Sequence, residues 1–312
     1  MIKIISYCDD IAGFANEIGC KVIKNEPMKN HTSFKIGGNA DLFIYVNKIE
    51  SLKQIVNLIN ILGVPFFIIG NGSNLLVSDD GYRGVVISLS KIKNKAEIKN
   101  QDILTCDAGL PLAYVCTFAM KNSLSGLEFA CGIPGTCGGA LFMNAGAYGH
   151  DMSETILEAT HVTYTGNEET LSKSQMNLSY RNSIYSSLPV IITSMSLKLV
   201  KSSSEEIKSK MYENIKKRKL SQPLNYPNAG SIFKRPSDGQ YAGKLIESAG
   251  LKGVSIGGAS VSQKHAGFIV NTGDATAQDV IKLIHHIQRS VFENSGVKLN
   301  CEIKTLGNIT LE

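Results

Sequence analysis

The apolar positions of the chain fall into several distinct rhythms. Leu52, Ile55, Val56, Ile59 and Leu62 recur at helical spacing, so the pattern predicts an amphipathic helix over 51–62. Gly63 stops it and Pro65 marks the exit. Phe66–Ile69 is a short unbroken apolar run, as expected for a buried strand, and Val85–Leu89 reads as another. A helix-like stretch spans 112–120, and strand-like runs follow at 157–165 and 190–200. Ile207, Met211 and Ile215 share one face of a helix predicted over 203–219, and residues 220–240 read as loop. Val280, Ile284, Ile287 and Val291 form the stripe of a helix over 277–293, with Thr276 placed to cap it and Gly296 to end it.

At 312 residues the chain is long enough for two or three units. The elements divide it at 92, 202 and 300, the last segment, 301–312, being a strand-like tail. With 43% hydrophobic and 19% charged residues the composition is that of an ordinary globular protein. A net charge of +5 suits small anions and is too weak for a nucleic-acid surface, which needs clustered basic residues among aromatics. The densest basic run, Lys216 to Lys219, follows Glu205-Glu206, an arrangement that complements a helix dipole and so reads as a solvated helix end. The seven cysteines show no zinc-like spacing, so reduced thiols and a cytoplasmic setting are expected. The first ten residues have too short an apolar run for a leader, and no run of 18 apolar residues suggests a membrane span.

Two glycine-rich segments carry the first sign of chemistry. Gly70-Asn71-Gly72-Ser73-Asn74-Leu75 directly follows a predicted strand, where successive backbone N–H groups can form a concavity for phosphate oxygens. It has neither the lysine of a phosphate-binding P-loop nor the third glycine of a Rossmann fingerprint. An ordinary tight turn explains this stretch equally well. The second segment, Gly126 to Gly149, holds seven glycines in 24 positions, a density that weakens any regular element. It reads as a backbone surface packed against a flat or phosphorylated ligand, or as a bulged strand pair. Tyr180-Arg181-Asn182-Ser183, Asn228 to Lys234 and Asn300 to Ile303 hold one arginine, one serine and one acid that carry little weight singly.

Taken in order, these segments resemble the UDP-N-acetylenolpyruvoylglucosamine reductase family. The matching stretches are N-H-T-S-F-K-I-G-G at 30–38, G-N-G-S-N-L-L at 70–76, G-I-P-G-T-C-G-G-A at 132–140 and M-N-A-G-A-Y-G at 143–149. They continue with Y-R-N-S at 180–183, N-A-G-S-I-F-K at 228–234, A-G-K-L-I-E-S-A-G-L-K-G at 242–253 and H-A-G-F-I-V-N at 265–271. Arg181 and Ser231 are 50 positions apart, which resembles the shorter family variant, the one without an inserted tyrosine loop.

The resemblance implies an α+β protein. It would have an FAD-binding fold of the vanillyl-alcohol oxidase type in two subdomains (1–92 and 93–202), a third, substrate-binding α+β domain (203–300), and a C-terminal strand (301–312) returning to the site. It implies non-covalent FAD, NADPH as co-substrate and a UDP-sugar substrate, with no nucleic-acid or membrane partner and a monomeric chain. Carried over by motif, FAD falls to Gly70, Asn71, Gly72, Ser73, Asn74, Leu75, Gly135, Thr136, Gly139, Ala140, Asn144, Gly146 and Tyr148. Arg181, Ser231 and Glu302 would be catalytic, and Tyr180, Lys219 and Gly230 would hold substrate. On this resemblance Lys219 leaves the solvated run, while Lys216, Lys217 and Arg218 stay in it. Another FAD oxidoreductase of the same fold, or a nucleotide-binding module without catalysis, are the alternatives.

Overall fold

A computed structural model describes residues 2–93, 95–237 and 239–311. The helices are α1 (Ile2–Glu17), α2 (Ile49–Leu62), α3 (Leu112–Lys121), α4 (Cys137–Phe142), α5 (Ser204–Ser221), α6 (Ala242–Ser248) and α7 (Ala277–Ser295). The chain separates into two compact units whose stretches interleave. The first comprises 1–24, 42–71 and 84–218; the second comprises 25–41, 72–83 and 219–312.

The first unit holds most of a sheet ordered Lys21–Pro27, Asn39–Tyr45, Tyr82–Ser88 and Phe66–Ile69, the last two parallel. Parallel pairing needs a crossover, and buried Val85, Val86 and Ile87 show the unbroken apolar run such strands require. A second, antiparallel sheet runs Glu168–Ser172, Ile156–Thr163, Val190–Lys198, Ile103–Asp107 and Ala96–Lys99. Helix α2 buries Leu52, Ile55, Val56 and Ile59, and Gly63 closes it in the left-handed conformation at φ 65°. The sequence reading did not cover α1, although Cys8, Ile11, Ala12 and Ala15 lie buried at helical spacing.

The second unit has its own core around Phe34, Leu76, Ile232, Val280, Ile284 and Ile287. Its antiparallel sheet is ordered Asn228–Ser231, Phe268–Asn271, Ala259–Val261 and Ser255–Ile256, so a strand lies inside the stretch expected to be loop. Leu75–Val77 pairs in parallel with Lys304–Leu306. Helix α7 is capped by Thr276, which exchanges hydrogen bonds with Asp279, and stopped by Gly296 at φ 71°. The α+β expectation holds, and no helix among the described residues is long and apolar enough to cross a membrane.

Candidate active site

Each unit assembles part of the predicted set. In the first unit the two glycine segments meet. Asn71 Nδ2 donates to the Pro134 carbonyl at 3.4 Å, and a Cβ built on Gly70 would stand 2.5 Å from Thr136 Oγ1. Only glycine allows that approach. Thr136 is the N-cap of α4, its hydroxyl accepting from Gly139 N–H at 3.3 Å, so the dense glycine segment contains a short helix rather than extended backbone alone. Ala140 is buried in this turn, and the Gly135 carbonyl accepts from Leu112 N–H at 2.9 Å.

Two further segments are tied to this helix. Asn144 is buried at φ 41°, its Nδ2 donating to the Ser179 carbonyl and its Oδ1 accepting from Ser153 N–H. Ser183 Oγ donates to the Phe142 carbonyl at 2.7 Å. Between these anchors sits Arg181, at φ 53°, its Nη2 donating to the Gly146 carbonyl at 3.0 Å and its guanidinium lying over the Tyr180 ring. Tyr148 is also left-handed, at φ 58°. Three side-chain-bearing residues in sparsely populated conformations within one cluster is the kind of strain that collects at ligand sites. The Tyr148 hydroxyl donates to the Asn214 carbonyl at 2.7 Å, and burial raises its pKa.

In the second unit the loop after Gly70 continues through Gly72, whose φ of +57° favours glycine and whose added Cβ would stand 2.1 Å from the His31 carbonyl oxygen. Its tightness is therefore set first by the neighbouring main chain, where Ser33 N–H donates to the Gly72 carbonyl at 3.1 Å. Ser33 Oγ donates in turn to the Asn228 carbonyl at 2.7 Å. Ser231 ends a strand whose register shifts between Asn228 and Ser231, with Gly230 at φ +78° donating its N–H to Asn228 Oδ1. Such a bulge re-aims the side chain that follows it. Segment 300–303 pairs alongside: Glu302 N–H donates to the Ile232 carbonyl at 2.7 Å, and Lys234 N–H to the Asn300 carbonyl at 2.9 Å. Asn74 Nδ2 donates to the Glu302 carbonyl at 3.2 Å. Three sequence-distant segments thus converge, and Ser231 and Glu302 stand on adjacent paired stretches. Burial and the nearby Lys234 pull the Lys304 ammonium below its ordinary value, while Glu302 opposes this. Leu75 lies buried within its strand, so only its main chain is available to a ligand.

The basic run of α5 divides differently from expectation. Lys216, Lys217 and Lys219 are exposed, whereas Arg218 is partly buried and turned inward. A Cβ on Gly132 would stand 3.0 Å from its Cδ. The signal was present in the sequence, since Arg218 lies on the Ile207, Met211 and Ile215 face. The Lys219 carbonyl, meanwhile, accepts from Lys264 Nζ at 2.6 Å.

Comparison with known proteins agrees with this arrangement. A family model described as an FAD binding domain matches residues 40–172, and one described as the UDP-N-acetylenolpyruvoylglucosamine reductase C-terminal domain matches 222–306. The UDP-N-acetylenolpyruvoylglucosamine reductase of Caldanaerobacter subterraneus subsp. tengcongensis is 49% identical over 287 residues, covering 92% of this chain and 94% of the relative. The chain belongs to the UDP-N-acetylenolpyruvoylglucosamine reductase family. It is an FAD-dependent oxidoreductase. The reductase of Clostridium botulinum (strain Hall) is 46% identical over 306 residues, covering 98% of this chain and 97% of its own. The crystal structure of the reductase from Thermus caldophilus superposes with a TM-score of 0.77 at 33% identity, covering 92% of this chain and 99% of that one.

The residues present fit the flavin dinucleotide of this family. Hydroxyls, carboxamides and glycine main chain line the cluster at 70–71 and 134–148, a donor set suited to pyrophosphate oxygens and to a flat ring at close range. All seven cysteines are free; burial raises the Cys131 thiol, and Cys137, hydrogen-bonded to Cys106, is raised well above its ordinary value, so both serve packing.

Proposed function

We propose that this chain uses NADPH and FAD to reduce UDP-N-acetylglucosamine enolpyruvate to UDP-N-acetylmuramate, a step in the synthesis of peptidoglycan precursors. The observation that carries this reading is the adjacency of Ser231 and Glu302 on paired segments of a chain that matches the family along nearly its whole length. The alternatives, an oxygen-using oxidase of the same fold or a non-catalytic nucleotide module, give no reason for that pairing.

When bound, FAD supplies the hydride that passes to the terminal methylene carbon of the enol ether. As that carbon gains its hydrogen, negative charge moves onto the substrate carboxylate. Arg181 presents a planar fork of donors suited to it, already oriented by its bond to the Gly146 carbonyl. Ser231 delivers the proton to the neighbouring carbon, which completes the lactyl ether. A serine hydroxyl is a weak acid in water, so its role requires a site that favours the transient alkoxide; the cationic pair Lys234 and Lys304 lies in the same unit. Glu302 contributes a polar group to the same carboxylate. Tyr180, Lys219 and Gly230 contact substrate.

Gly70 to Leu75 together with Gly135, Thr136, Gly139, Ala140, Asn144, Gly146 and Tyr148 hold the flavin, chiefly through main chain. In functional terms 1–92 and 93–202 are the two flavin subdomains, 203–300 the substrate domain, and 301–312 the strand that brings Glu302 back. The enzyme works in the cytoplasm as a monomer. The test is direct: purified protein should be yellow, and should oxidise NADPH only when the enolpyruvyl sugar is supplied. NADPH consumption driven by oxygen alone, or a flavin that NADPH does not bleach, would refute the reading.

A further inference from the structure

Helix α5 sends Ile207 and Met211 into the core of the first unit, and its next two turns bring Asn214 and Arg218 to the same face. Asn214 grips the glycine-dense region twice: its Nδ2 donates to the Glu128 carbonyl at 2.9 Å, and its own carbonyl accepts from the Tyr148 hydroxyl. Cys131 Sγ donates to the Met211 carbonyl at 3.6 Å. One turn later the stem of Arg218 passes against Gly132, which carries the guanidinium to the same segment and beside Tyr148, a residue that is 43% exposed.

No acceptor engages Arg218 among the described residues. Its ionisable neighbours are the Tyr148 phenol and the Cys131 thiol, both shifted upward by burial and so neutral near pH 7. A guanidinium withdrawn from water with five donors and no carboxylate is unfavourable unless an anion completes it. The surrounding surface is glycine main chain with an exposed aromatic ring, which suits a nucleotide.

We propose that Arg218 binds a phosphate oxygen of a nucleotide seated on the 132–148 segment, making it a ligand-binding residue for a phosphate. The inference rests on the reading of 135–148 as a flavin cradle. The phosphate has three possible sources: the flavin's pyrophosphate, a phosphate of NADPH, or the diphosphate of the UDP-sugar. Planar guanidinium recognition of phosphate is bidentate, a geometry an ammonium cannot reproduce.

The experiment uses Arg218→Met, which keeps the apolar stem against Gly132 and removes the charge, with Arg218→Lys beside it. FAD affinity is measured by flavin fluorescence on apoprotein. NADPH and NADH affinities come from the concentration dependence of flavin bleaching, and UDP affinity from its perturbation of the flavin spectrum. The expected result is a loss of about ten- to a hundredfold in Arg218→Met for one of these ligands, with a shallower salt dependence, and partial recovery in Arg218→Lys. Loss for FAD alone assigns the flavin pyrophosphate, loss for NADPH but not NADH assigns the 2′-phosphate, and loss for UDP assigns the substrate. Wild-type affinities for all of them in Arg218→Met would overturn the proposal. Should that variant fail to fold, Arg218→Gln replaces it under the same criterion. A wild-type protein without flavin would instead sink the proposed function, so the two failures are separable.

Discussion

Glu302 donates its backbone N–H to the carbonyl oxygen of Ile232 at 2.7 Å, which places it beside the residue that follows Ser231. Main chain, not side chain, makes this link. The spacing between the acid and the hydroxyl-bearing stretch is therefore fixed by strand pairing and survives substitution of either side chain. Variants at both positions can be read as chemistry and not as misfolding.

Ser231→Ala is expected to leave bleaching of the flavin by NADPH at the wild-type rate and to slow the enolpyruvyl-dependent reoxidation about 10²–10⁴-fold, the range for loss of a positioned proton donor. Stopped-flow measurement of the two half reactions separately checks this. Equal slowing of both would remove Ser231 from the proton step.

Gly72 and Gly230 both adopt left-handed backbone, at φ +57° and +78°, yet their surroundings differ. A Cβ on Gly72 would meet the His31 carbonyl at 2.1 Å, while a Cβ on Gly230 would meet nothing within 4 Å. Gly230→Ala should therefore cost only the conformational term, about 1–2 kcal/mol. Gly72→Ala should cost more, because main chain must move as well. Thermal melts compare the two, and equal losses would contradict the argument.

Asp79 accepts from the N–H groups of Ala277 and Gln278 at 2.8 and 3.1 Å, satisfying two donors at the start of α7 that have no partner within the helix. Asp79→Ala should cost roughly 0.5–2 kcal/mol in denaturant unfolding, and Asp79→Asn less, since the amide oxygen still accepts but the charge opposite the helix dipole is gone. Identical losses for both variants would mean that the retained amide oxygen contributes nothing and the charge carries the whole effect, whereas wild-type stability in Asp79→Asn would mean the charge contributes nothing.

Burial lowers the pKa of His161 and of His265 below the ordinary 6.5. The pull is opposed at His161 by Glu169; at His265, Lys252 adds to it, while a backbone hydrogen bond and Glu247 oppose it. In the unfolded chain both would take up a proton near pH 6.5, while the folded rings remain neutral to lower pH. Their contribution to stability is therefore complete above pH 6.5 and falls away as the pH drops through that value toward the folded pKa. Melting temperature should decline below pH 6.5, and the decline should be shallower in His161→Gln. An unchanged slope would exclude His161 as a contributor.

Much of this molecule is written locally. The helical stripes of α2 and α7, the Gly63 and Gly296 stops, the Thr276 cap and the strand entering Gly70 follow from short-range periodicity and from the φ range open to each residue. So does the order of motifs that placed the chain in its family. The fold alone decided that segments 228–234 and 300–303 pair, that Gly70 closes onto Thr136, and that the two compact units interleave along the chain. It also turned Arg218, and not its lysine neighbours, toward the glycine-rich segment. The physical reason is range. Backbone preference and hydrophobic spacing act over a few residues, whereas which distant stretch fills a face or an orphaned donor depends on packing that no single window of sequence contains.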